Sequence, residues 1–197
     1  LVSEWATATV PVQQETREPE AATGLTEQQL VHSKQAMVAA AHPLAVVAGQ
    51  RILAMGGSAV VAAIATQLML GLVEPQSSGI GGGAFILHWQ KSGQRLTSFD
   101  GRETAPALAD ETLFTVNGKA LDWRTAYVGG KSVGVPGVLK ALAQAHQQYG
   151  RLPWPVLFSD AIEAAETGFN VTPRMAKHLK LGWNAGVKTL SPAKDYF

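Results

Sequence analysis

The stretch SAVVAAIATQLMLGLVEPQSSGIGGGAFILHW, residues 58–89, contains both kinds of secondary structure that determine the fold class. Its first half is apolar on every side and follows Ser58, a residue type that caps helix N-termini. A helix that is apolar all round is typical of a buried position between layers. The first half therefore predicts a buried helix that begins after Ser58.

The second half of this stretch predicts a β-hairpin. After the glycine-rich connection at 74–83, the segment AFILHW (84–89) has the length and composition of a strand. Residues 91–93, Lys-Ser-Gly, are typical of a hairpin turn, and QRLTSFD (94–100) is the expected returning strand.

The segments before this stretch predict an arm, a strand and a helix. Residues 1–28 contain two prolines and scattered charges without a sustained period, which indicates a flexible or surface arm. The segment KQAMVAAAH (34–42) is expected to be a strand. HPLAVVAGQRILAMGG (42–57) predicts a helix with Pro43 at its first position and Gly56-Gly57 at its end. The residues expected to face the core from this helix are Leu44, Val47, Ile52 and Met55.

The segments after the hairpin predict a loop and three further helices. Residues 111–123 are expected to form a loop with a short helical turn and a turn at Asn117-Gly118. The first helix is expected within 129–150, starting at Pro136, with Leu139, Leu142 and Ala143 inward. The second is expected within 153–168, from Pro155 to Gly168. The third is expected over 172–182, with Thr172 as cap and Pro173 at the first position. Helices, a hairpin and more helices predict an α+β fold rather than βαβ repeats. Because two strands do not make a stable sheet alone, a partner segment is expected to complete it.

Composition excludes several classes of function. The 197 residues include 16 basic and 15 acidic side chains and no cysteine. No basic run is present, so a nucleic-acid partner is not expected. The absence of cysteine excludes thiol catalysis and disulfides, and no apolar stretch approaches the ~20 residues of a membrane span. The chain starts with Leu1 rather than Met, which we take as a sign of processing.

The glycine-rich segment GIGGGA (79–84) matches the dinucleotide fingerprint, and Asp100 lies at a suitable distance after it. That fingerprint needs a strand before the glycines and a helix after them, so that the phosphate meets the helix N-terminus. Here the predicted order is reversed. We therefore expect these glycines to permit close backbone approach rather than nucleotide binding.

No set of residues forms a complete active site. The sequence contains neither a G-x-S-x-G elbow nor an H-E-x-x-H motif. Glu163 and Glu166 are expected to be solvated, and neither a metal nor a cofactor is expected. The histidines show no ligand spacing and are expected to be surface or packing residues: His32, His42, His88, His146 and His178.

Arg102, in FDGRETAP (99–106), is the remaining candidate. Its guanidinium presents a planar fork of donors that matches a carboxylate. The alternative is a surface ion pair with Asp100 or Glu103, which would contribute little. On the residues alone the ion pair is favoured, and both interpretations stay open.

Several stretches, taken together and in order, resemble one family. They cover most of residues 35–170 and are GGSAVVAA (56–63), PQSSGIGGGAFIL (75–87), FDGRETAP (99–106), VGVPGVLKAL (133–142) and YGRLPWPVLFSDAIEAAETGF (149–169). They are similar to the large subunit of the γ-glutamyltranspeptidases, or glutathione hydrolases. The resemblance implies that residues 29–197 are an incomplete N-terminal part of that subunit.

The resemblance also implies a fold, a mechanism and a partner. The family has the αββα sandwich of the N-terminal-nucleophile hydrolases, and a precursor cleaves itself into large and small subunits. The first threonine of the small subunit attacks the γ-glutamyl amide of glutathione, and water or an acceptor amine takes the glutamyl group. A small subunit from the same precursor is the expected partner, in a heterodimer. A periplasmic or secreted location is expected.

Within the family pattern, Arg102 binds the α-carboxylate of the γ-glutamyl group. That Glu103, beside it, orients the guanidinium is our own hypothesis and is not part of the family pattern. Val61 stands where the family has an acid, and Gly101 where a bulky aromatic is common, which predicts a looser pocket wall beside Arg102. Because the nucleophilic threonine is absent, the chain alone is expected to be inactive. The alternatives are a related acylase of the glutaryl or cephalosporin type and a non-catalytic scaffold of the same fold.

Overall fold

A β-hairpin packed on helices forms the centre of the structure. The computed structural model describes residues 30–180 and 185–196, and the described residues from 33 onward belong to one compact unit. The arm expected over residues 1–28 lies outside the described residues. In chain order the elements are α1 (Pro43–Ala54), α2 (Ala59–Val73), β1 (Phe85–Gln90), β2 (Arg95–Asp100), β3 (Thr115–Val116), β4 (Lys119–Ala120), α3 (Trp123–Tyr127), α4 (Val138–Tyr149), α5 (Ser159–Thr167), α6 (Pro173–Lys180), α7 (Ala185–Thr189) and α8 (Ala193–Tyr196), with 3₁₀ turns at Gly130–Ser132 and Trp154–Phe158. The predicted α+β class is confirmed.

Helix α2 is buried as predicted. The Ser58 hydroxyl accepts a hydrogen bond from the Val61 N–H at 3.5 Å and donates one to the Tyr149 carbonyl at 2.7 Å. Ser58 therefore caps α2 and also ties it to the end of α4. The main core lies between these two helices, the hairpin and the second 3₁₀ turn, and its largest fully buried side chains include Val61, Ile64, Val138 and Leu157.

Helix α1 begins at Pro43 as predicted, but the prediction of its buried face was wrong. The His42 ring accepts a hydrogen bond from the Leu44 N–H at 3.1 Å. The residues that face the core are Ala45, Ala48, Gly49 and Ile52. Of the residues expected there, Leu44, Val47 and Met55 are exposed, and only Ile52 is buried.

The small residues of α1 explain this difference. At Gly49 a Cβ atom would collide with the Thr66 hydroxyl of α2 and lie 2.9 Å from a Val38 methyl carbon. The two helices therefore approach each other too closely for large side chains. Large side chains of α1 instead border an open cavity of about 610 Å³ beside α5.

The hairpin forms with the predicted strands and has two different faces. Its antiparallel register runs from Phe85 opposite Asp100 to Gln90 opposite Arg95. On the inner face Phe99 is buried and the Tyr149 ring contacts His88, with 4.0 Å between ring centroids. The outer face exposes four large apolar side chains, Phe85, Leu87, Trp89 and Leu96, to between 57% and 73%.

The strand expected over residues 34–42 does not form. In the described part of the chain this segment has no strand beside it, and both sheets are two-stranded hairpins. A strand needs a neighbour that satisfies its backbone groups, and apolar composition cannot supply one.

The second hairpin arises from the predicted turn at Asn117-Gly118. Both residues have positive φ angles, 52° and 72°, which match a tight hairpin turn. The flanking pairs β3 and β4 were expected to be loop. They are strands of two residues each, too short to show the alternation of apolar and polar residues that predicts a strand.

The three helices predicted after the hairpin are confirmed as α4, α5 and α6, with shifted boundaries. Helix α4 buries Val138, Ala141, Leu142 and Ala145, so Leu139, at 38% exposure, and the half-buried Ala143 do not face inward as expected. The next helix begins as a 3₁₀ turn, continues as α5 and ends at Gly168, whose φ is 85°. The Thr172 hydroxyl caps α6 by accepting from the Met175 N–H at 3.1 Å.

The close approach of α1 and α2 generates a prediction. Replacement Gly49→Ala forces Thr66 and Val38 to move, so we expect the free energy of unfolding to fall by about 1 to 3 kcal/mol. The matched control is Gly71→Ala in α2, where the nearest atom is at 3.6 Å. That change removes only a helix glycine and should raise stability by up to about 1 kcal/mol. Urea unfolding measures both, and equal stabilisation by the two substitutions would contradict the packing described here.

Candidate functional site

Arg102 lies two residues beyond β2, in a turn fixed by backbone hydrogen bonds. Gly101 donates to the Ala84 carbonyl at 2.9 Å and accepts from the Ala84 N–H at 3.3 Å. A carboxylate oxygen of Asp100 accepts the Arg102 N–H at 2.9 Å. Asp100 therefore holds the backbone of the turn, and it is not an ion-pair partner of the guanidinium.

Gly101 is pressed against the start of α4. A Cβ atom at Gly101 would lie 2.6 Å from the Ala141 Cβ and 3.0 Å from the Gly137 carbonyl oxygen. The expectation that Gly101 loosens the pocket wall beside Arg102 was wrong. The space that a side chain would need is already filled by α4.

The glycine-rich segment supplies the third backbone at this crossing. The Gly82 carbonyl accepts the N–H groups of Gly137 at 3.1 Å and Val138 at 3.2 Å, which satisfies donors at the N-terminus of α4. The order of helix α2, glycines and strand β1 is the one predicted, and it differs from a dinucleotide site. Gly83, where a Cβ atom would lie 2.7 Å from the Gly101 carbonyl oxygen, serves close backbone approach as expected, whereas at Gly81 a Cβ atom would meet nothing within 4 Å.

Glu103 occupies space that glycines leave open. A Cβ atom at Gly83 would lie 2.5 Å from a Glu103 carboxylate oxygen, and one at Gly134 would lie 2.8 Å from the Glu103 Cβ. The carboxylate lies 3.7 Å from Arg102 Nε. Glu103 is thus enclosed by glycine backbone on one side and contacts the guanidinium on the other.

The Arg102 side chain is 72% exposed and borders a cleft of about 360 Å³. Apolar side chains such as Pro106, Leu113 and Phe114 form part of its wall. The charged residues among those that line it are Arg102, Glu103 and Lys131. The excess of two cations over one carboxylate favours an anionic ligand, and the apolar wall favours a ligand with an apolar portion.

The turn beside this cleft contains Asp110, a carboxylate with a lowered pKa. The hydrogen bond from the Thr112 hydroxyl, and next the one from the Thr112 N–H, lower the pKa of Asp110. The two bonds are 2.6 and 2.8 Å long. Asp110 therefore stays ionised and holds its turn at neutral pH.

The other sequence candidates lie apart from Arg102. Within residues 30–180 and 185–196, no three histidines or carboxylates come together in a way that could hold a metal. His146 bonds to the Leu152 carbonyl at 2.8 Å. Glu163 and Glu166 are exposed, as expected. None of the helices that the structure describes has the length and hydropathy needed to cross a bilayer.

Comparison with known proteins identifies the family. The family described as Gamma-glutamyltranspeptidase matches residues 45–197, more than three quarters of the chain. The chain belongs to the gamma-glutamyltranspeptidase family. Among curated relatives, it is 41% identical to the glutathione hydrolase proenzyme of Bacillus subtilis (strain 168) over 73% of this chain and 25% of that protein.

Two solved structures resemble the chain. The gamma-glutamyltranspeptidase of Helicobacter pylori is 30% identical, with a TM-score of 0.80 over 86% of this chain and 48% of that one. A cephalosporin acylase from Bacillus halodurans is 36% identical, with a TM-score of 0.69 over 88% of this chain and 31% of that one. The chain spans about a quarter of the length of the curated relatives it matches.

The structure accounts for one residue, Val61, that departs from the family pattern. Val61, in place of the expected acid, is completely buried in the main core. Its apolar side chain therefore packs where a carboxylate would need a polar partner.

Lys131 was not singled out from the sequence, because no local pattern links it to Arg102.

The crossing at Gly101 generates a prediction. Replacement Gly101→Ala places a methyl group against Ala141 and two carbonyl oxygens, so we expect a loss of about 1 to 3 kcal/mol in the free energy of unfolding. The control is Gly81→Ala in the same glycine-rich region, where a Cβ atom meets nothing within 4 Å. Chemical denaturation compares the two. A tolerated Gly101→Ala would show that the turn is not held against α4.

Proposed function

We propose that this chain is part of the large subunit of a gamma-glutamyltransferase, or glutathione hydrolase. In the proposed reaction the hydroxyl of an N-terminal threonine on the small subunit attacks the γ-carbonyl carbon of a γ-glutamyl amide. The α-amino group of that threonine accepts the hydroxyl proton and passes it to the nitrogen of the amide, whose C–N bond breaks as the γ-glutamyl ester forms and the amine leaves. Water hydrolyses the ester, or an acceptor amine takes the glutamyl group.

The observation that carries this proposal is that Arg102 is exposed at a cleft and only weakly paired. Its guanidinium is mostly exposed, lies at the edge of a cleft, and has one long ion pair among the described residues. Such a pair contributes little and involves one guanidinium nitrogen, so it leaves the other donors for a ligand. A planar guanidinium can therefore bind the α-carboxylate of the γ-glutamyl group by donating two parallel hydrogen bonds to it.

Glu103 is proposed as a positioning residue. Its side chain has little freedom, because Gly83 and Gly134 leave just enough room for it. A fixed carboxylate 3.7 Å from Arg102 Nε favours guanidinium orientations that keep this contact. The remaining guanidinium donors then point away from Glu103 and can meet the substrate.

The outer face of the hairpin supports the proposed small-subunit partner. Exposed Phe85, Leu87, Trp89 and Leu96 form an apolar sheet face, and burying them would contribute about 25 cal/mol for each Å² removed from water. A second sheet packed on this face would complete the αββα sandwich. We also propose that the heterodimer is periplasmic or secreted, as the family resemblance implies.

Arg102→Ala tests the proposed function. In the complete enzyme this change removes a charge-assisted contact to the substrate, so kcat/KM for γ-glutamyl-p-nitroanilide should fall by the equivalent of about 2 to 4 kcal/mol. Arg102→Lys keeps the charge without the fork and should lie between wild type and alanine.

Arg95→Ala is the control for Arg102→Ala, because Arg95 is an exposed arginine at the other end of β2. It should leave kcat/KM within twofold of wild type. Unchanged kinetics in Arg102→Ala would rule out the role assigned to this residue. Absence of turnover in the intact wild-type enzyme would favour the non-catalytic scaffold.

Glu103→Gln tests the positioning role. The change keeps size and removes charge, so the guanidinium is less well oriented and KM for the anilide should rise about two- to fivefold with little change in kcat, in line with an exposed ion pair. Glu111→Gln, an exposed acid of the following loop, serves as control. If Glu103→Gln instead lowers KM, Glu103 competes with substrate for Arg102 rather than positioning it.

An acylase that acts on glutaryl amides is the second candidate function. It is supported by the 36% identity to the cephalosporin acylase and by the fact that a glutaryl group also carries a carboxylate. Comparing γ-glutamyl and glutaryl anilides on the same enzyme separates the two. A higher kcat/KM for the glutaryl compound would replace the substrate proposed here.

A further inference from the structure

The cleft beside Arg102 contains a second cation that the proposed mechanism does not use. Lys131 lies in the 3₁₀ turn Gly130–Ser132 and borders the same cleft of about 360 Å³. Among the described residues, no carboxylate lies within 4.0 Å of its ammonium group. Lys131 therefore adds a positive charge to the cleft that is not cancelled by an ion pair.

The chain holds this turn at a fixed place relative to Arg102. Thr104 and Val135 form an antiparallel bridge, with hydrogen bonds of 2.8 and 3.4 Å between their backbones. The Ser132 hydroxyl donates to the Tyr127 carbonyl at 2.7 Å, which anchors the turn on its other side. Hydrogen bonds on both sides of this segment therefore fix the backbone position of Lys131.

The bridge also separates the two cations. Arg102 precedes Thr104 by two residues, and Lys131 precedes Val135 by four. Because the paired segments are antiparallel, the residues that precede Thr104 and Val135 extend in opposite directions from the bridge. The chain therefore leaves the bridge towards the two cations in opposite directions, which favours a ligand that carries two separated anionic groups.

We propose that Lys131 binds the C-terminal carboxylate of a peptide on the leaving-group side of the cleft and so gives the enzyme a preference for γ-glutamyl peptides over simple γ-glutamyl amides. This inference rests on the proposed function. A γ-glutamyl peptide has an α-carboxylate at one end, for Arg102, and a C-terminal carboxylate at the other, for Lys131. The apolar wall that includes Pro106 and Phe114 lies along the same cleft.

The test compares three donors on the complete enzyme: glutathione, its glycine ethyl ester and γ-glutamyl-p-nitroanilide. Replacement Lys131→Gln should lower kcat/KM for glutathione about 5- to 20-fold, the size of a charge-assisted contact that is partly solvated. The ester and the anilide lack the second carboxylate, so their values should change less than twofold. Because the anilide is assayed on the same preparation, it also reports correct folding.

Lys140→Gln is the matched control, since Lys140 is an exposed lysine of α4 that does not border the cleft. It should leave all three donors unchanged. Equal losses for glutathione and its ester in Lys131→Gln would overturn the inference. So would an unchanged value for glutathione.

Two further arms separate the sources of failure. Because an acceptor amine takes the place that the leaving peptide vacates, Lys131→Gln should, with the anilide as donor, also weaken glycylglycine more than glycylglycinamide as acceptor. Equal effects on the two acceptors would contradict the proposed carboxylate contact. Arg102→Ala assayed with the anilide reports on the proposed function alone, because that donor makes no use of Lys131.

Discussion

The contact on which the site depends is the close approach of three backbones at Gly82, Gly101 and Gly137. The carbonyl of Gly82 accepts the first N–H groups of α4, and Gly101 lies against Ala141 with no room for a side chain. This contact joins the glycine-rich segment, the end of the hairpin and a helix at one point. The turn that carries Arg102 is therefore a rigid part of the scaffold, which is what the carboxylate-binding role proposed for Arg102 requires.

Features that depend on local chemistry could be predicted from the sequence. The Ser58 cap, Pro43 at the start of α1, the Asn117-Gly118 turn and the hairpin strands all follow from preferences that act over a few residues. Arg102 could be proposed as a binding residue for a related reason. It lies in a short motif, and the resemblance supplied a role that the isolated residues left open between ligand and ion pair.

Features that depend on distant parts of the chain could not be predicted. The buried face of α1 is decided by how closely α2 approaches at Gly49, and size alone favoured the wrong residues. The segment at 34–42 has strand composition, but a strand requires a partner. Likewise, Lys131 enters the Arg102 cleft through the Thr104–Val135 bridge, which joins segments far apart in sequence.

The central claim of this account is that the chain supplies the carboxylate-binding half of a site whose nucleophile lies on a second chain made from the same precursor. Intact-mass measurement with N-terminal sequencing of the purified full-length protein tests it most directly. The account predicts two co-purifying chains, one of which contains the Arg102 segment and the other of which begins with threonine. A single uncleaved chain that turns over γ-glutamyl substrates, or a partner chain with another first residue, would contradict it.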